Sequence, residues 1–211
     1  MLKDSANIKG TLLLALLLAP LPAEATVVRA LSLYEKAQVA PLIVRARVER
    51  VEPVLATDAG SVQTLVTIHV LEVLKGNAKN GDRLLLRHSG GTVGDFTHHV
   101  PGQSVYEAGE EAILFLEPWG PYLVEIGIGI GKYPIEVQRG LQVVTHDPKV
   151  ALARIVPGEP MQIEDSVPME PEPIDRFTKR LRSYVKGFVK PTQSALPSLD
   201  PKAPIDTPAS R

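Results

Sequence analysis

Chemistry in this chain has to start from histidine, because the 211 residues hold five His and no Cys. Three of the five, His88, His98 and His99, lie close together in sequence. His98 and His99 are adjacent, so on a strand they point to opposite faces and cannot form a same-face metal pair. His88 and His98 offer a different pairing. If the loop around Val93 closes a hairpin, the two imidazoles stand opposite each other, the start of a zinc or copper site with Asp95 as third ligand. The competing reading makes them polar strand residues at the rim of the fold. No cofactor is assigned.

Other constellations are weaker. The run Gly127-Ile128-Gly129-Ile130-Gly131-Lys132 invites a nucleotide reading but lacks the context. A dinucleotide loop needs G-x-G-x-x-G opening a helix, and a phosphate loop needs Ser or Thr where Tyr133 stands. β-type residues and Pro134 follow instead, so the glycines read as a bulge or tight bend. Glu107, Glu110 and Glu111 cluster beside a turn and read as a solvated strand start. There is no G-x-S-x-G elbow, no H-E-x-x-H and no Cys nucleophile, so no catalytic residue is assigned.

The elements that must position these residues are mostly strands. Ser32 and Glu35 have capping-box spacing, which predicts a short helix over 32–39 closed by Pro41. Residues 42–51 alternate apolar and charged side chains and read as a half-buried strand ended by Pro53 and a loop over 56–61. Residues 62–74 form a long strand with Val66, Ile68 and Val70 on one face. Leu65 and Leu71 on the other face predict cover on both sides for part of its length. Further strands are expected over 84–86, 96–100, 112–116 and 122–126, and a hairpin over 133–144 turns near Gln138-Arg139-Gly140. Many short strands with frequent turns indicate a sandwich or a barrel.

The ends carry different information. Lys3 and Lys9, a Leu/Ala run over 11–19 and Ala23-Glu24-Ala25 predict a cleaved signal over 1–25, with the mature chain starting at Thr26. The apolar run is too short to span a membrane, and no Cys follows it for lipid attachment. The protein is therefore expected to be secreted or periplasmic, with a fold that rests on a core rather than on disulfides. A net charge of −1 argues against nucleic acid as a partner. Ten of the 19 prolines lie in residues 157–211, so little sheet is expected there. Residues 157–173 read as an acidic, Pro-rich linker. Residues 174–190 read as an amphipathic helix with an apolar stripe at Phe177, Leu181, Tyr184, Val185 and Phe188. Its basic face admits docking on the fold or peripheral contact with a membrane. Residues 191–211 are expected to be a disordered tail.

Three stretches carry a resemblance: Leu42-Ile43-Val44-Arg45-Ala46-Arg47-Val48, then Val70-Leu71-Glu72-Val73-Leu74-Lys75-Gly76, then Gly109-Glu110-Glu111-Ala112-Ile113-Leu114-Phe115-Leu116. Together they resemble the netrin-module and tissue-inhibitor-of-metalloproteinase superfamily, and more closely secreted bacterial proteins that share the pattern. A Gly-x-Gly-Lys-aromatic step, here Gly129-Ile130-Gly131-Lys132-Tyr133, is similar to theirs. The resemblance implies an OB-like closed barrel within residues 26–156, of about five to seven strands, with a short N-terminal helix and a C-terminal amphipathic helix. The animal inhibitors chelate zinc through an N-terminal Cys, which this chain lacks; Thr26 offers only an amine and a carbonyl. The expected function is an exported, non-enzymatic binding module for an extracytoplasmic protein or envelope component. Its expected binding rim is Ser89, Gly90, Gly91, Asp95, His99 and Trp119. A metalloprotease-inhibitor-like protein and an envelope-associated hydrolase are the alternatives.

Overall fold

The computed structural model describes residues 27–56, 61–154 and 160–186. The expected signal, Thr26, the far end of the C-terminal helix and the tail lie outside the described residues. The chain opens with β1 (Val27–Arg29), α1 (Leu33–Val39), β2 (Leu42–Leu55) and β3 (Val62–Lys75). Next come β4 (Arg83–Ser89), β5 (Gly91–Val93), β6 (Phe96–His98), β7 (Glu111–Trp119) and β8 (Tyr122–Glu125). It continues through β9 (Lys132–Gln138), β10 (Leu141–His146), β11 (Ala151–Arg154), β12 (Gln162–Asp165) and β13 (Met169–Pro173) to α2 (Ile174–Val185). The protein is mostly β.

Five strands are joined in a partly closed ring. Antiparallel ladders link β7 to β2, β2 to β3, β3 to β4 and β8 back to β7. Between β4 and β8 the pairing is parallel, through Leu86 and Leu123. Beyond β7 the same sheet runs on through β9 and β10 to β13 at its edge. A second sheet orders β1, β11 and β12, and β5 and β6 form a separate hairpin.

Strand alternation divides the core in two. Leu42, Val44, Val66, Ile68, Leu84, Leu86, Leu114 and Leu116 fill the ring. Ile43, Ile113, Phe115 and Tyr133 point outward and meet Ala37 of α1 and Ile174, Phe177 and Leu181 of α2. β2 and β7 are thus covered on both faces, with Leu42–Val44 and Ala112–Leu116 wholly buried, and β3 is so covered at its end, where Val73 packs on the first core and Leu74 in the second. On β3, Leu65 and Leu71 are half-buried only. The apolar stripe of α2 is taken up by this second core. Among the described residues no helix is long and apolar enough to cross a membrane.

The capping box forms as spelled: Glu35 N donates to Ser32 Oγ at 3.2 Å, and Ser32 N donates to Glu35 Oε2 at 2.8 Å. The other end of α1 is closed from a distance. Lys75 Nζ donates to the carbonyls of Ala37 and Gln38 at 2.8 and 2.9 Å, satisfying helix-end acceptors. Gly76 follows with φ +103°, and a Cβ there would stand 2.8 Å from the Pro41 carbonyl. The Lys-Gly step therefore seats α1 on the sheet.

Three expectations need correction. β2 does not stop at Pro53, which pairs with Thr64. Past Arg47 the strand has no β7 neighbour, so the missing proline N–H breaks no ladder on that side. The stretch expected to hold little sheet contributes β12 and β13. Pro171 and Pro173 are accommodated because β13 is an edge strand. Glu110 and Glu111 are not a solvated cluster: Glu111 takes Arg45 at 2.8 Å and Arg47 at 2.5 Å, while Glu110 takes Lys132 at 2.6 Å.

Candidate functional site

The rim assembles where β4 ends. Thr64 Oγ1 donates to the Gly90 carbonyl at 2.7 Å, and Gly90 N donates to Val62 O at 2.9 Å. Gly91 has φ +136°, and a Cβ on it would come within 2.6 Å of Thr64 Oγ1. Only glycine passes here, so the chain leaves β4 sharply and folds back as the β5–β6 hairpin. Its register is Gly91 to His98, Thr92 to Thr97 and Val93 to Phe96. A groove of about 330 Å³ opens beside it, lined by His88, Ser89, Gly90, Gly91, His98, His99 and Tyr106 among others. A neighbouring depression of about 440 Å³ shares His88, Ser89 and Gln103 and ends at Trp119, which is 51% exposed.

The expected metal pairing does not form as drawn. Gly91 stands opposite His98, and Thr64 opposite His88, because the chain turns at Gly90 before the hairpin begins. Asp95 sits in the two-residue turn at the hairpin tip and lines neither hollow. Among the described residues no group of three or more His, Cys, Asp or Glu is arranged to hold a metal ion. His88 Nδ1 lies 3.1 Å from the Ser89 carbonyl and must be the protonated nitrogen there, since a carbonyl only accepts. Its Nε2 is buried and has no hydrogen-bond partner among the described residues. Burial pushes the His88 pKa down and Lys132 adds to this, against the Ser89 carbonyl, so the ring is neutral at pH 7.

Behind the groove lies a buried network that no sequence motif announced. Glu125 Oε1 accepts from Gly131 N at 2.8 Å and Lys132 N at 3.0 Å, and its Oε2 accepts from Tyr106 Oη at 3.0 Å. Lys132 Nζ donates to Glu110 and to the Val105 carbonyl, and lies 4.5 Å from the Tyr106 ring centre. Burial pushes the Glu125 carboxyl up from its ordinary range, while Ser104, Gly131 and Tyr106 hold it back. The arrangement clamps the 104–106 segment, the groove's far wall, onto β8 and β9.

A second buried centre stands apart. Lys36 of α1 is 4% exposed, and its Nζ donates to Ile130 O at 2.7 Å, Tyr133 Oη at 2.8 Å and His146 Nε2 at 3.2 Å. The Tyr133 and His146 rings stack with centres 4.0 Å apart. Burial pushes the Lys36 pKa down to about 8, with Glu125 acting in the opposite direction. A pocket of about 490 Å³ opens over these three side chains. No motif in the sequence marks Lys36, Tyr106, Glu125 or His146 for these roles. The one local signal was the Gly-Ile-Gly-Lys-Tyr step, whose groups serve both networks.

No family model matches the chain, and no curated protein or solved structure matches it.

His146 gives a pH prediction. Its Nδ1 donates to the Lys132 carbonyl at 2.9 Å, leaving Nε2 as the acceptor for Lys36. Burial first and the Lys36 charge second push its pKa down to about 4, against an ordinary value of 6.5. Between these values the unfolded chain binds a proton that the folded chain refuses, so stability falls as pH drops from 6.5 to 4. A loss on the order of 3 kcal/mol is expected across that window. Urea unfolding at each pH should show most of this loss absent in His146→Asn. Equal losses in both proteins would overturn the assignment.

Proposed function

We propose that the protein is an exported, non-enzymatic binding module whose five-strand ring is an OB-like barrel. We assign the groove beside β4 to an extended segment of an extracytoplasmic partner protein. Support for the barrel comes from the order β7-β2-β3-β4-β8 with its one parallel junction at β4–β8. OB barrels bind through the face of their second and third strands and the loops flanking it. In this chain those are β3, β4 and the Trp119 turn between β7 and β8.

The observation that carries the groove reading is a free strand edge beside a largely apolar hollow. β6 pairs only with β5 among the described residues, so its outer edge keeps unused backbone donors and acceptors. An extended peptide can add to such an edge, with side chains entering the hollow beside it. Phe96 on β6 and Val105 in the groove lining, 64% and 74% exposed, provide apolar contact.

The test is a photo-cross-linking residue in place of Thr97 on β6, with the same residue in place of Val137 on β9 as control. Adducts with an envelope protein at position 97 and not at 137 are expected. Adducts at both positions alike, or at neither, would remove the groove as the binding face.

A further inference from the structure

We propose that the pocket over Lys36 binds a small organic carboxylate with an apolar body. None of its lining residues belongs to either hollow near β4, so this inference stands or falls independently of the groove.

The first observation is a buried cation with no anion against it. All three acceptors around Lys36 Nζ are uncharged: a carbonyl, a phenol and a neutral imidazole. A charge taken out of water with only dipoles around it carries a desolvation penalty that an opposite charge would offset. The carboxylate next to it on α1, that of Glu35, makes no ion pair with Lys36, its Oε2 being held by Ser32 N and Ser32 Oγ at 2.8 Å each. Glu125, whose field reaches Lys36, is engaged with Gly131, Lys132 and Tyr106.

The second observation is the character of the pocket. Arg29 and Arg154 join Lys36 in its lining, against Glu35 alone among acids. Arg154 is only loosely paired, 4.0 Å from Glu164. Tyr133 Oη accepts from Lys36, and among the described residues no acceptor takes its own proton, so it has a donor to offer. The remaining wall includes Leu31, Leu152, Val167 and Met169, which suits a hydrocarbon or aryl body and not a bare inorganic anion. A volume of about 490 Å³ falls in the range of small-molecule sites. Charge from Lys36, hydrogen bonds from Tyr133 and the two arginines, and an apolar wall together specify an amphipathic monocarboxylate.

The test is calorimetric titration of the full chain with octanoate and benzoate, with octanamide, benzamide and inorganic phosphate as comparisons. Saturable binding of at least one carboxylate is expected, with none for its amide. Arg154→Gln, an exposed change that leaves the core intact, should weaken binding roughly fivefold or more. Lys36→Met should abolish binding; if that variant does not fold, the double change Arg29→Gln with Arg154→Gln replaces it. No saturable heat with either carboxylate at millimolar concentration would overturn the proposal. So would amides that bind as tightly, or phosphate that competes as well as the carboxylates do.

Discussion

Glu125→Ala is expected to cost about 3–5 kcal/mol of unfolding free energy, a large part of what holds a domain of this size together. The cause is not the lost charge alone. Truncation strands Gly131 N, Lys132 N and Tyr106 Oη around a side chain that is only 9% exposed, and each donor left unpaired adds about 1–3 kcal/mol. Glu125→Gln separates the contributions. Its amide oxygen can still accept from both backbone N–H groups, and its NH₂ can donate to the Tyr106 oxygen. A loss of only about 1–2 kcal/mol is therefore expected for Gln. Denaturant unfolding of the two variants decides it. If Gln is as damaging as Ala, the ionised carboxylate is what matters and the donor count is not.

Phe177→Ala should be comparably severe, at about 3–5 kcal/mol. Phe177 is fully buried, with its ring centre 5.2 Å from that of Tyr133, and it is the largest apolar group α2 contributes. Removing it leaves a cavity between helix and sheet that the doubly covered strands β2 and β7 cannot collapse to fill. Chemical denaturation gives the size, and hydrogen exchange should show the α2 amides opening first. A loss under about 1 kcal/mol would mean that α2 merely rests on the surface. Together with Leu181 and Ile174, Phe177 accounts for the fate of the apolar stripe.

What could be read from the sequence was local or periodic. The Ser32–Glu35 capping box lies within four residues, and both of its bonds are present. The 133–144 hairpin appears as β9 and β10 around Arg139 and Gly140, both at positive φ. The apolar spacing of α2 marked Phe177 and Leu181 as one stripe, and that stripe faces the second core. Partners distant in the chain were not legible. Lys36 meets Tyr133 and His146 across about a hundred residues, and nothing in a single Lys on a short helix reveals an imidazole waiting for it. Glu125 looked like an ordinary end of a strand, because its donors are backbone amides that leave no trace in residue type. The proline count misled over 169–173, since composition does not distinguish an edge strand from a loop. His88 and His98 are not strand partners for a geometric reason: Gly90 changes the chain's direction, so a separation of ten residues no longer translates into facing positions.

One amide deserves a last consequence. The carbonyl that receives Lys36 and the N–H that serves Glu125 are the two ends of a single peptide unit, that between Ile130 and Gly131. That unit is planar and stiff, so it cannot tilt toward one charge without withdrawing from the other. The ammonium draws electron density to the oxygen, which leaves the N–H more acidic and strengthens its bond to the carboxylate, and the reverse holds equally. Lys36 and Glu125 thus sense each other through one amide without touching, and free energies of substitution at the two positions will not add. A carboxylate arriving over Lys36 would relax that polarisation and be felt at the wall of the groove, and by thermodynamic reciprocity a segment seated in the groove would be felt at Lys36.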